Sequence, residues 1–376
     1  MSSLLLYWTP DGFELDGYNR PGLPVLLYSA TMDIEYWPTK FLQYKAIIDG
    51  RVGSRQTVYA HAHIMLPFVE YLASTGKRWN SVIEEDLAYY RDLLEGRQLG
   101  RPRVRRVMSF ICDFYQWAYD RKIISVRPFT TRQLVVKQYG MSSHIGNSYT
   151  TEQPTILPRA PKNHRLPRYF PKDDCDNILS SMNEERDRLI VIWALYTGAR
   201  EHEICNLVVD DIPPQSAYRS RRIYPISIIR KRKKRADLYV PAWLLDQTYQ
   251  YIAFGGRRNI VRAAVKRGIA APSNIFLGRW GTNLKPNSVY KTYTDKLKEL
   301  GLKGTFHALR HTYAINTLDQ LMKVDEYRQN GGYNAILELA RRLSHDSVTT
   351  TEVYLKARAF YLTDIYSEPW DVADAR

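Results

Sequence analysis

Five side chains in the second half of the chain could together act on a phosphate ester. Arg200 and Arg310 carry planar guanidinium groups, which hold phosphate oxygens in a fixed geometry and stay charged at any relevant pH. His307 and His345 can hydrogen-bond a phosphate or move a proton. Tyr354 is a possible nucleophile. Since a free tyrosine has a pKa of about 10, it would need the electropositive surroundings that two arginines provide.

Taken one at a time, these residues have ordinary structural explanations. His307 and Arg310 are spaced to share one helix face, and such a pair is usually a surface pair. Arg200 alone is most often a salt-bridge partner, and His345 alone a structural histidine. Tyr354 is one of 28 tyrosines. Only the order and spacing of the five favour a shared site.

The residues around these five carry a resemblance to a known family. In chain order they are Thr197-Gly198-Ala199-Arg200 with Glu203, a basic hairpin, His307-Ala308-Leu309-Arg310-His311, and Leu343-Ser344-His345 followed by Thr350, Thr351 and Tyr354. The pattern resembles the tyrosine recombinases, or phage-type integrases, whose catalytic domain runs T-G-x-R-x-x-E, a hairpin lysine, H-x-x-R and L-G-H-x-x-x-x-T-T-x-x-Y. Two departures are Ser344 in place of the usual glycine and a long interval before His345. We expect the surplus residues in a loop at 325–334.

The resemblance implies a site-specific DNA recombinase that cleaves and rejoins DNA through a 3′-phosphotyrosine at Tyr354. A covalent phosphotyrosine stores the energy of the phosphodiester, so that strands can be rejoined without ATP. The two arginines would stabilise the phosphorane-like transition state, and His307 and His345 would bond the scissile phosphate or assist proton movement. Glu203 would orient the basic residues. Because these cations supply the charge that metals supply in many nucleases, we expect no metal and no other cofactor.

The general acid implied by the resemblance is a lysine in the basic string 230–235, between two β-prone segments. Family hairpins of this kind place the catalytic lysine ten residues before the proline that ends the second segment. That proline is Pro241 here, which favours Lys231, whereas a shorter turn would favour Lys233. Arg232 and Lys234 would then make non-specific contacts with DNA phosphates.

Composition restricts the possible partners. The chain has 54 Lys and Arg against 39 Asp and Glu, a net charge of +15, which is typical of a polyanion-binding protein. A membrane is the least favoured polyanion, because no apolar run approaches the roughly 18 residues of a spanning helix. Three scattered cysteines form neither a disulfide framework nor a zinc motif. Composition alone leaves DNA and RNA open. The family resemblance implies double-stranded DNA as the partner and a cytoplasmic, nucleoid-associated protein of a prokaryotic cell.

Hydrophobic periodicity predicts a mainly α protein with two domains. Residues 36–135 are expected to form a helical bundle that resembles the family's core-binding clamp, and residues 169–356 a mostly α catalytic domain with a small β-sheet. Residues 1–35 are expected to be an N-terminal extension, since their length is short for a separate arm-type DNA-binding domain. The polar, proline-containing segment 136–168 lacks periodicity and is interpreted as the linker. The tail 357–376 could pack on a neighbouring protomer or cover its own domain.

A basic cluster is expected on the last helix of the bundle, opposite its apolar stripe. Its members are Arg103, Arg105 and Arg106. By default this is a solvated helix face, and the alternative is contact with DNA phosphates.

Three other functions are compatible with parts of the pattern. A type IB topoisomerase uses similar chemistry but acts as a monomer, whereas the family resemblance implies a tetramer on two DNA sites. A catalytically silent DNA-binding regulator would have no physical reason to retain Tyr354. An RNA or nucleoprotein scaffold would require the motifs to be accidental and would prefer single strands.

Overall fold

The computed structural model of the chain describes residues 3–49, 54–138, 147–159, 166–230, 235–327, 334–345 and 349–362. These residues form two compact units. The first unit contains the described residues up to 159, and the second those from 166 onward. The fold is mainly helical with small two-stranded sheets, as predicted. No helix among the described residues is long and apolar enough to cross a bilayer.

Four helices form the bundle of the first unit: α1 (Tyr36–Ile47), α2 (Arg55–Ser74), α3 (Glu84–Gly96) and α4 (Arg101–Asp120). Ser54 caps α2, since its side chain accepts a hydrogen bond from the Thr57 amide. The predicted stripe of α4 is buried: Val107, Ile111, Phe114 and Ala118. A 3₁₀ turn at Trp79–Ser81 precedes α3.

The N-terminal extension predicted at 1–35 is described from residue 3 onward, and its strands contribute to the core of this unit. Strands β1 (Leu4–Trp8) and β4 (Pro24–Tyr28) pair in antiparallel fashion, and a smaller pair, β2 (Glu14–Leu15) with β3 (Tyr18–Asn19), lies between them in sequence. Because strand side chains alternate between two faces, Leu4 and Leu26 point inward and are buried in the same cluster as the helices.

The segment interpreted as an irregular linker also contains regular structure. Strand β6 (Asn147–Pro154) pairs with β5 (Thr131–Gln138), with Thr131 opposite Pro154. Ile156 and Leu157 are buried in the core of the first unit. The sequence did not predict this hairpin because its strands have few apolar residues, and their pairing rests on backbone hydrogen bonds that leave no period in the sequence.

The second unit has one two-stranded sheet and ten helices among the residues described. The sheet is the predicted hairpin of β7 (Ile223–Ile229) and β8 (Arg235–Pro241), with Ile229 opposite Arg235. The helices are α5 (Lys172–Ser181), α6 (Glu185–Thr197), α7 (Glu201–Cys205), α8 (Gln215–Tyr218), α9 (Ala242–Ala253), α10 (Gly256–Lys266), α11 (Pro286–Glu299), α12 (Phe306–Tyr327), α13 (Ala335–Leu343) and α14 (Thr349–Leu362). A 3₁₀ turn spans Val209–Asp211.

Two apolar clusters hold the second unit together. The larger surrounds Trp193 of α6 and includes residues of β7, β8 and α9. The smaller lies between α12, α13 and α14 and contains Tyr354. Helix α12 contributes to both clusters, and it therefore connects the end of α6 with α13 and α14. The predicted loop at 325–334 falls largely outside the described residues, which resume at Asn334, the N-cap of α13.

Candidate active site

Arg200 is placed by the sharp turn between α6 and α7. Gly198 ends α6 with φ +65°, a left-handed conformation that glycine adopts without strain, as predicted. Arg200 then caps α7, and its amide donates to Glu203 Oε2 over 2.9 Å. Its Nη1 donates to Glu203 Oε1, also over 2.9 Å. The side chain of Arg200 is 33% exposed, so that other N–H groups of the guanidinium can reach a ligand.

Glu203 is the buried anion of the site. Its side chain is fully buried, and Arg230 Nε lies 3.6 Å from Oε1. Burial alone would raise the pKa of the carboxyl group, but the charges of Arg230, Arg200 and Arg310 outweigh it and hold the pKa below its ordinary value. Glu203 therefore stays ionised at neutral pH and fixes the basic residues around it.

Arg310 connects three elements from the second turn of α12. It is 1% exposed. Its Nη1 donates to the Gly198 carbonyl, and its Nη2 donates to the Leu343 carbonyl over 2.6 Å. Burial, followed by the charge of Arg200, lowers its pKa to about 10, so it remains protonated at neutral pH. The end of α6 and the end of α13 are thereby fixed to one guanidinium.

A small pocket of about 120 Å³ opens where α7 and α12 begin. Its lining includes Arg200, His307 and Arg310. Burial and the charges of Arg310 and Arg200 lower the pKa of His307, which therefore stays neutral at neutral pH. Two cations and the amino end of the long helix α12 favour an anion at this position.

His345 and Tyr354 lie next to each other beyond the end of α13. The His345 Nδ1 and the Thr351 Oγ1 are 2.9 Å apart, and Thr351 is fully buried. Burial and the nearby arginines lower the pKa of His345 to about 4. Its ring is nearly parallel to that of Tyr354, with centroids 6.2 Å apart. Tyr354 itself is 3% exposed.

The Tyr354 hydroxyl has a partner that the sequence analysis did not assign, His311. The hydroxyl lies 3.0 Å from the His311 Nδ1. The His311 ring in turn meets the His307 ring edge to face, with centroids 4.7 Å apart. A continuous series of contacts therefore leads from the pocket through His307 and His311 to Tyr354. The spacing of His307 and His311, one helical turn apart, was the signal that could have identified it.

Arg230 is the second functional residue that the sequence analysis missed. It is 6% exposed and donates from Nη1 to the Leu343 carbonyl over 2.6 Å. Because Ile226 and Ile228 of β7 point inward, the alternation of the strand also turns Arg230 inward. That alternation was available in the sequence, but the basic string around it favoured a solvent-exposed turn.

The structure says less about the other residues that were predicted for the site. Lys231, Arg232, Lys233 and Lys234 lie outside the described residues. Arg103 and Arg106 are exposed and line a groove of the first unit with Tyr59 and Tyr90. Arg105 is half-buried and donates to the Pro158 carbonyl, which gives it a structural partner. Among the residues that the structure describes, no cluster of His, Cys, Asp and Glu has a metal-binding arrangement.

The chain is similar to known proteins in sequence and in fold. The phage integrase family profile matches residues 168–359. The tyrosine recombinase XerC of Halalkalibacterium halodurans is 22% identical over 297 residues, which cover 75% of this chain and 88% of XerC. Lambda integrase (residues 75–356) bound to DNA has a TM-score of 0.57 at 13% identity, covering 88% of this chain and 97% of that structure. A lambda integrase tetramer bound to a Holliday junction has a TM-score of 0.52 at 13% identity, covering 83% and 77%. Because the family profile spans more than half of the chain, the resemblance predicted from the motifs is confirmed, and this chain belongs to the phage integrase family of tyrosine recombinases.

Proposed function

We propose that the protein is a site-specific DNA recombinase in which Tyr354 attacks a DNA phosphodiester and forms a 3′-phosphotyrosine. The observation that carries the proposal is the series of contacts from the arginine pocket to the nucleophile. His307 lines the pocket with Arg200 and Arg310, and it reaches Tyr354 through His311. A phosphate in this pocket would lie among the charges that the phosphorane-like transition state requires.

The two arginines have distinct roles in this proposal. Arg200 is partly exposed and anchored at one side to Glu203, so its free N–H groups would bind a non-bridging phosphate oxygen. Arg310 is buried and uses one N–H of each terminal nitrogen on a carbonyl, which leaves three of its five donors for the phosphate. His307 would hydrogen-bond the same phosphate, and Glu203 would keep the guanidinium of Arg200 in place.

The 5′ oxygen would leave with a proton from a lysine of the 231–234 turn, either Lys231 or Lys233. Arg230 supports a role for this turn, because it holds the end of β7 against Glu203 and the Leu343 carbonyl. Lys231 follows Arg230 directly in the sequence. Arg232 and Lys234 would contact neighbouring DNA phosphates.

We propose further that the two units divide DNA binding and catalysis. The helical bundle at 36–135 would act as the core-binding clamp, and residues 169–356 as the catalytic domain. The exposed Arg103 and Arg106 would bind phosphates across the duplex. Four protomers would assemble on two sites, the arrangement that lambda integrase adopts on a Holliday junction. The protein would work without metal or ATP in the cytoplasm of a prokaryotic cell, at the nucleoid.

The decisive experiment is a search for a denaturant-resistant protein–DNA adduct. Wild type and Tyr354→Phe are incubated with nicked duplexes from the gene's own locus, in EDTA and without ATP. The matched control is Tyr361→Phe, which removes a hydroxyl on the same helix, α14. We expect an adduct with wild type and Tyr361→Phe but none with Tyr354→Phe. Absence of an adduct on DNA that the wild type demonstrably binds would overturn the proposal.

A second assay separates strand exchange from relaxation of supercoils. A plasmid with two copies of the cleaved site should yield deletion or inversion products when the protein is a recombinase. A type IB topoisomerase would relax the supercoiled plasmid without exchanging strands between its two sites.

A further inference from the structure

We propose that His311 is a catalytic residue that accepts the proton of Tyr354 as the tyrosine attacks the phosphate. The inference rests on the proposed function, because it takes Tyr354 as the nucleophile. It assigns a role to a residue that lies outside the arginine, lysine, His307 and His345 set predicted from the motifs. Attack by a tyrosine at neutral pH needs such an acceptor, since the neutral hydroxyl is a weak nucleophile.

The geometry distinguishes His311 from the two other histidines of the site. A base within hydrogen-bond reach of the hydroxyl can take its proton directly, and His311 Nδ1 lies 3.0 Å from it. His307 lines the pocket where the phosphate is proposed to bind. His345 has its Nδ1 engaged with Thr351 and stacks nearly parallel to the tyrosine ring.

The protonation states of the two partners suit a proton transfer in this direction. Burial and the charges of His307 and Arg310 lower the pKa of His311 to about 4, which makes the ring neutral at neutral pH. A neutral imidazole with its proton on Nε2 offers Nδ1 as an acceptor. Burial raises the pKa of Tyr354, and Arg310 and Arg200 only partly offset this. The tyrosine therefore reaches the site with its proton in place.

Binding of DNA would strengthen His311 as a base. Three titratable or charged groups lie around the ring: His307 and Arg310 on its own helix, and Tyr354 on α14. A phosphate anion in the pocket would offset the arginine charge that disfavours protonation of His311. Negative charge that develops on the phosphorane would then stabilise the imidazolium. Proton transfer is thus coupled to the presence of the substrate.

The proposed step balances in bonds and protons. The Tyr354 oxygen forms a bond to phosphorus while the bond from phosphorus to the 5′ oxygen breaks. The phenolic proton moves to Nδ1 of His311, and the 5′ oxygen takes a proton from the hairpin lysine. In rejoining, a 5′ hydroxyl attacks the phosphotyrosine and gives its proton to the neutral hairpin lysine. The bond from phosphorus to the Tyr354 oxygen breaks, and His311 returns its proton to that oxygen.

The test compares His311→Asn and His311→Ala with wild type in single-turnover cleavage of nicked duplex DNA. Asparagine can place its amide oxygen near the position of Nδ1, so it keeps an acceptor for the hydroxyl but takes up no proton. We expect both variants to bind DNA like wild type and to cleave it about 100-fold more slowly or worse. The wild-type rate should rise with pH to a plateau, and this rise should be absent in His311→Asn. Added imidazole should partly restore His311→Ala.

A substrate with sulfur in place of the bridging 5′ oxygen shows whether a variant has lost the general acid or the base. A thiolate leaves without protonation, so this substrate should rescue a variant that lacks the general acid but not a His311 variant. If wild type forms no adduct on DNA that it binds, the proposed function fails. If wild type cleaves and His311→Asn matches its rate and pH profile, the role of His311 as a base is overturned while the proposed function stands. Because His311→Asn keeps an acceptor for the Tyr354 hydroxyl and leaves a smaller cavity than alanine, it also serves if His311→Ala does not fold.

Discussion

Arg230 and Arg310 donate hydrogen bonds to the same backbone oxygen, that of Leu343, each over 2.6 Å. Arg230 follows β7, Arg310 lies on α12, and Leu343 ends α13 two residues before His345. The two buried cations therefore hold the hairpin, the pocket and the histidine in one arrangement. Glu203 lies beside both Arg230 and Arg200 and supplies the opposing charge.

The first prediction concerns Arg230, the structural cation of this arrangement. Arg230→Met should destabilise the protein by roughly 3 kcal/mol, because loss of one partner leaves a buried charge less compensated. Formation of the DNA adduct should fall with it, since α13 and the hairpin lose their common anchor. Urea denaturation measures the first effect, and single-turnover cleavage measures the second.

Arg235→Met is the matched control for this variant. Arg235 begins the neighbouring strand and is exposed, so its replacement should change stability by no more than about 0.5 kcal/mol. Equal losses for the two variants would mean that the buried contacts of Arg230 contribute nothing beyond those of a surface arginine.

The second prediction is that protonation of His345 lowers the free energy of unfolding at acid pH. Its folded pKa is about 4, whereas an imidazole in the unfolded chain has a pKa of about 6.5. Between these values the unfolded chain binds a proton that the folded protein does not. Stability from this group is therefore fully present above about pH 6.5 and is lost as the pH falls towards 4. Because the ring is partly exposed, solvent screening limits the effect to about 2 kcal/mol.

His345→Asn tests this step, since asparagine retains an acceptor for the Thr351 hydroxyl without a titrating group. The free energy of unfolding, measured in urea from pH 7 to pH 4, should fall less steeply for the variant than for wild type. Parallel curves would show that His345 is protonated equally well in the folded protein.

Much of this architecture was predictable, because local chemistry decides it. The apolar stripe of α4 specifies a buried face, and Gly198 specifies a left-handed turn. The order of Arg200, Arg310 and Tyr354 in the sequence predicted the family. The stripe and the turn depend on neighbours within a few residues along the chain, and each family motif is likewise short, so that spacing is informative.

The features that escaped prediction depend on contacts between distant segments. None of the β5–β6 hairpin side chains whose burial is described, at 131–135 and 149–154, is buried, and Leu4 joins a core built by helices that follow much later. Arg230 belongs to a basic string that resembles a solvated turn, and only the packing of α13 against the hairpin reveals its buried partners. His311 became a candidate only when α14 placed the Tyr354 hydroxyl against it.

The third prediction concerns Ser344, which stands where the family usually has glycine. Ser344 ends α13 in the left-handed conformation, with φ 49°. This conformation costs a non-glycine residue roughly 1–2 kcal/mol. Glycine would remove that cost, but it also gives the unfolded chain more conformational freedom, which offsets part of the gain in stability. Ser344→Gly should therefore stabilise the protein by about 0.5–1 kcal/mol in urea denaturation, with little effect on cleavage.

Ser344→Ala is the control, because alanine has the same steric conflict as serine in this conformation. It should bring no gain. A less stable Ser344→Gly would show instead that the serine side chain contributes more than its backbone conformation costs.

The last prediction assigns the general acid within the hairpin turn. Of Lys231→Ala and Lys233→Ala, only one should slow cleavage of an ordinary phosphodiester, by about 100- to 10,000-fold. The other should mainly weaken DNA binding and lower its salt dependence, because it removes one phosphate contact. The family resemblance favours Lys231 as the general acid, because it stands ten residues before Pro241, the proline that ends the second strand. The 5′-thio substrate should restore Lys231→Ala, because its leaving group needs no proton. Equal and mild losses for the two variants would contradict a lysine acid in this turn and transfer the role to another group of the site.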